Sequence, residues 1–129
     1  MKLELFEKGY EGKDLVLFYG NEPLIIKRLI KSINSLLVKK EGEISIHDTE
    51  GVDSINNCKV FGVISPKDYG LQNYINDNSY ILKLTDEGWE QVIDYLKPFC
   101  KKQLGHGVHF QYISDEGKVI LILSNQRDW

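Results

Sequence analysis

Residues 14–40, DLVLFYGNEPLIIKRLIKSINSLLVKK, change their hydrophobic period at Gly20. Before the glycine, Asp14 to Tyr19 form an apolar run of strand length, of the kind covered on both faces of a sheet. After it, Ile25, Ile26, Leu29, Ile30, Ile33, Leu36 and Leu37 recur at steps of three and four, the spacing of one helix face. Lys27, Arg28, Lys31, Asn34 and Ser35 fall on the other face. Asn21 or Glu22 can cap the start, and Pro23 sits in the first turn, where a missing N–H costs nothing. Lys39 and Lys40 suit the negative end of the helix dipole, and Gly42 stops the helix. The pattern predicts a helix over 22–40 with Leu29, Ile33 and Leu36 buried.

Toward the N-terminus, Leu3 and Leu5 alternate with Lys2 and Glu4, which predicts a strand over 2–7 and a glycine-bearing hairpin loop at 8–13. Toward the C-terminus, residues 43–47 alternate as a third strand, 48–57 read as a polar loop, and 58–64 as a fourth strand. Ser65-Pro66 opens a mixed segment to Ser79 in which a short helix is expected, before a fifth strand at 80–84. Thr85 caps a second helix over 86–102, with Asp86 and Glu87 in its first turn. Trp89, Val92, Ile93 and Leu96 form its buried stripe, and Pro98 ends or kinks it. Strands at 108–113 and 118–123 close the chain as a hairpin, and 124–129 read as a tail. The order is ββαβ followed by ββαββ. Short connections favour antiparallel pairing, so the expectation is a single α+β domain over 1–129, its sheet mainly antiparallel with two principal helices packed on it.

With 129 residues and 14.9 kDa, 42% of them hydrophobic and 27% charged, the chain has the composition of one globular domain. No apolar run has the length of a membrane span, and acids interrupt the first residues where a signal peptide is apolar, so a cytoplasmic protein is expected. Cys58 and Cys100 have no Cys-x-x-Cys spacing and read as free thiols. Alanine is absent and fourteen lysines stand against two arginines, which reads as the codon usage of an AT-rich bacterial genome.

Charge is unevenly placed. Residues 41–95 hold eleven acids against three basics, while the segments on either side are net positive. Phosphates would be repelled by such a centre, so direct nucleic-acid binding is not expected and a basic protein partner is.

No catalytic signature emerges. His106 and His109 lie three apart, a spacing that sends strand side chains to opposite faces, and His47 is remote in sequence. No metal site and no cofactor are therefore expected. His47-Asp48 lacks a nucleophile in a Gly-x-Ser-x-Gly elbow, and Tyr19 to Pro23 lacks the lysine and repeated glycines of a phosphate loop. The alternatives to a binding protein are a small-ligand-binding or regulatory domain, and a small hydrolase or transferase using His47, His106 or His109.

Within 66–78, Tyr69 and Tyr74 stand among small polar and acidic residues, the composition of a protein-binding surface. Tyr69 and Tyr74 are the expected anchors, with Glu50, Asp53, Asp68 and Asp77 steering a basic partner. Trp129 is a partner contact or a plug on a groove. In size, acidic centre and lack of a catalytic signature, the whole chain resembles the immunity proteins of polymorphic toxin and contact-dependent growth inhibition systems. That resemblance is one of profile and carries no family site onto particular residues. It implies a cytosolic, non-enzymatic toxin inhibitor that neutralises a cognate toxin, often a basic nuclease, by direct contact.

Overall fold

The computed structural model describes residues 1–101 and 109–127. Over them the chain forms β1 (Lys2–Tyr10), β2 (Lys13–Tyr19), α1 (Pro23–Lys39), β3 (Ile44–Ser45), β4 (Asp53–Ser54), β5 (Lys59–Ile64), β6 (Gly70–Asn73), β7 (Ser79–Leu84), α2 (Asp86–Leu96), β8 (Phe110–Ser114) and β9 (Val119–Ser124). These elements make an α+β domain, as the sequence predicts. One curled sheet runs β3-β5-β7-β6-β9-β2-β1-β4, with β8 added on β9.

The sheet is mixed, which corrects the expectation of mainly antiparallel pairing. β2 runs parallel to β9, β5 to β7, and β1 to the short β4. The reason is where the chain returns. β6 and β7 form a hairpin, but β7 inserts between β6 and β5, so β5 and β6, adjacent in sequence, are not neighbours in the sheet. β6 itself is absent from the sequence reading, which places a short helix nearby. Its only fully buried apolar side chain is Leu71, too little to show a period. Its entry depends on Gly70 (φ +76°): a Cβ there would lie 2.5 Å from the Gly117 amide nitrogen.

Several boundaries move for local reasons. β1 extends to Tyr10 through an irregularity at Lys8, and the hairpin turns tightly at Glu11-Gly12, both with positive φ. α1 has no side-chain cap at Glu22. It ends at Lys40, itself left-handed, whose amide donates to Leu36 O at 2.8 Å, so Gly42 is not the stop. The third strand shrinks to two residues before a 3-10 turn at Ile46–Asp48, and the polar loop contains β4. α2 stops at Leu96 and tightens into a 3-10 turn over Lys97–Cys100, because Pro98 cannot continue an α-helical ladder. Lys101 is extended, so the helix expected to 102 ends early; residue 102, the strand start at 108, and the readings at His106 and Trp129 lie outside the described residues.

Both helices cover one face of the sheet. Ile26, Leu29, Ile33 and Leu36 of α1 and Trp89, Val92 and Leu96 of α2 pack on Leu3, Val16, Phe18, Leu82, Leu121 and Leu123. Trp89 is fully buried; its Nε1 donates to Val63 O at 2.9 Å and its ring lies over Gly62, where a Cβ would come within 2.6 Å. On the opposite face Leu15, Leu17, Ile120 and Ile122 form a smaller apolar cluster packed with Phe6, Tyr10, Tyr19 and Tyr112. The alternating side chains of β2 and β9 serve both clusters, which is why these two strands read as continuous apolar runs.

Candidate functional site

The turn of β1–β2 and the turn of β6–β7 meet at one end of the curled sheet. Between them opens a groove of about 610 Å³, lined by Leu5, Glu7, Asp14, residues 73–78 and Tyr80. The strand directions bring them there: β7 is parallel in sense to β2 through β6 and β9, so the starts of β2 and β7 share an end. The volume lies in the range of small-ligand and side-chain pockets.

The lining is predominantly polar. Glu7, Asp14 and Asp77 contribute three carboxylates, and among the described residues none of them joins an ion pair. Asp14 Oδ1 accepts the Lys8 amide at 3.0 Å. Tyr80 is only 4% exposed and forms part of the wall. Its phenol is pushed up to about 12, first by burial, then by Cys58 and by the charges of Asp14, Glu7 and Asp77. Among the described residues its hydroxyl has no hydrogen-bond partner. It is also not one of the sealed, unpartnered polar atoms, which are Asp86 Oδ1, His109 Nε2 and Ser114 Oγ, so it opens on the groove. Ile75, 74% exposed, stands on the rim. Tyr74 also lines the groove; its hydroxyl donates to Glu43 Oε2 at 3.4 Å and its ring meets Phe61 edge-on at 5.3 Å.

The six residues singled out from sequence do not form one surface. Tyr74 and Asp77 lie on the groove. Asp68 sits at the other end of the β6–β7 pair, where its Oδ1 accepts from Thr85 N at 2.8 Å and Thr85 Oγ1 at 2.9 Å. Tyr69, exposed, is tied through its amide to Lys83 O beside it. Glu50 faces Arg28 of α1, at 3.9 Å from its guanidinium. Asp53 lies on β4, opposite Lys2. Glu7, Asp14 and Tyr80 are groove residues the sequence reading left aside. Glu7 and Asp14 fall outside the acidic central block, and Tyr80 reads as an ordinary strand residue.

The His47 ring is held by backbone. The Val60 amide donates to His47 Nδ1 at 3.1 Å, and Nε2 lies 3.5 Å from Asp48 Oδ2. The His109 amide donates to Asn125 Oδ1 at 2.9 Å. Both cysteines are free thiols; burial first, and then the charge of Glu4, pushes Cys58 up to about 12. Among the described residues no three His, Cys, Asp or Glu side chains come together as metal ligands, and no helix is long and apolar enough to cross a membrane.

No protein-family model, no curated protein and no solved structure matches the chain.

Proposed function

We propose that this chain is a non-enzymatic protein-binding module of the immunity type, which neutralises a basic toxin domain in the bacterial cytoplasm by docking it on the groove between the β1–β2 and β6–β7 turns. The observation that carries this reading is that three carboxylates line this groove and, among the described residues, join no ion pair. Uncompensated acids attract a basic surface and speed its approach, and they repel nucleic acid and anionic membrane. Tyr74 and Ile75 on the rim supply the apolar contact that slows dissociation.

The test begins with recovery of the partner on immobilised protein, followed by association and dissociation rates at two salt concentrations. Glu7→Gln, Asp14→Asn and Asp77→Asn together should slow association and flatten its salt dependence. Tyr74→Ala should speed dissociation, with a loss of ~1–3 kcal/mol. A partner that keeps full affinity and salt dependence against all four changes binds elsewhere. An acidic partner, or none, ends the immunity reading.

A further inference from the structure

Resting on that reading, we infer that the groove is a pocket for one arginine side chain of the partner, with the Tyr80 hydroxyl and the carboxylates of Glu7, Asp14 and Asp77 as its acceptors. Two independent observations carry this. The first is a trio of carboxylates lining one groove that, among the described residues, join no ion pair. The second is Tyr80, a groove-lining residue only 4% exposed as a whole, whose hydroxyl has no hydrogen-bond partner among the described residues and is not sealed from the groove. Such a hydroxyl is free to bond whatever fills the groove.

The shape of the site selects among cations. Among the described residues the three carboxylates line the groove without coming together as metal ligands. A guanidinium carries five N–H donors in a planar fork and can address separated acceptors at once; an ammonium is a compact point charge. The Asn73, Asn76 and Asn78 side chains on the wall add amide oxygens that accept from the same group. Leu5 and the exposed Ile75, both lining the groove, offer apolar surface to the three-carbon stem of arginine. The phenol remains protonated across the physiological range, and its oxygen can accept from the guanidinium.

The experiment needs no partner. The isotope-labelled chain is titrated with acetyl-Gly-Arg-Gly-amide, with the matching lysine and norleucine peptides, and with spermidine, following amide shifts. The arginine peptide should shift residues 5–7, 14 and 74–80 with a millimolar dissociation constant, on the order of −4 kcal/mol. The lysine peptide should bind several-fold more weakly and norleucine not at all. Tyr80→Phe, which keeps the ring that fills the wall, should weaken arginine about threefold or more, and Asp14→Asn by a similar factor. Absence of shifts at ~50 mM peptide overturns the inference. So does unchanged affinity in Tyr80→Phe, which would leave only diffuse charge. Spermidine binding more tightly than the arginine peptide assigns the groove to a free polyamine and also overturns it. The two proposals fail separately. A recovered basic partner indifferent to Tyr80→Phe removes the pocket and keeps the docking surface. A chain that binds the arginine peptide but recovers no basic protein keeps the pocket and removes the immunity function.

Discussion

At one end of the β6–β7 pair Asp68 accepts two hydrogen bonds through Oδ1; at the other, Asp77 joins no ion pair among the described residues. In sequence the two aspartates look alike, each beside a tyrosine-bearing turn in the acidic block. In the fold Asp68 Oδ1 takes both the amide and the hydroxyl of Thr85, and Thr85 Oγ1 in turn accepts the Gly88 amide at 3.1 Å to cap α2. Gly88 leaves the space for it, since a Cβ there would sit 2.5 Å from Asp68 Oδ1. Asp77 shares its end with two carboxylates brought from the β1–β2 hairpin. Acid composition therefore does not distinguish the two aspartates. What separates them is whether neighbouring donors have already claimed the carboxylate.

The comparison breaks most visibly at the filled end. Trp89→Ala empties the space between α2 and Gly62 and should cost ~3–5 kcal/mol in urea unfolding. A loss under ~1 kcal/mol would show that α2 is not the support on which the ordered end rests. Asp68→Ala should cost ~1–2 kcal/mol, since it unties the residue that caps α2, while leaving the association rate of a basic partner unchanged. A slowed association at unchanged stability would reverse the roles assigned to the two ends.

A smaller effect comes from Glu4, a carboxylate engaged like Asp68. Burial alone would raise its carboxyl, but hydrogen bonds from Arg127 and Tyr19 and the Arg127 charge together hold it below the usual carboxylate value. A depressed folded-state value means stability that is present above the unfolded value near 4.5 and is lost as pH falls through the folded one. Glu4→Gln should thus flatten the acid limb of a stability–pH curve below that point and lower stability at neutral pH. An unchanged acid limb would show the pair contributes nothing. The smallest effect belongs to the open end. Glu7→Gln, Asp14→Asn and Asp77→Asn combined should change unfolding free energy by no more than ~0.5 kcal/mol, and upward if at all, because they relieve mutual repulsion. A marked destabilisation would mean that these acids hold the fold together and do not wait for a partner.

Long periodic elements were legible in the chain. α1, the start of α2 with its Thr85 cap, and the apolar runs of β2, β7 and β9 follow from side-chain spacing and local capping, and Leu29, Ile33, Leu36 and Trp89 are buried as read. These are signals a window of a few residues contains. Two residues lining the groove, Tyr74 and Asp77, were also singled out from the sequence, because composition marks an unusual turn.

Tertiary structure alone decided the rest. β4 and β6 are too short to show a period and exist because a neighbouring strand offers a ladder of hydrogen bonds. The parallel pairings of β2 with β9 and β5 with β7 join residues separated by long stretches of chain, and no local pattern encodes which edge a strand returns to. The same holds for the site. Glu7, Asp14 and Tyr80 carry no motif, and they meet Asp77 only because the sheet curls and brings the two hairpin turns to one end. Periodicity sets what each segment becomes, since that depends on neighbours along the chain. The company a carboxylate keeps depends on neighbours across the sheet, and only the folded chain supplies them.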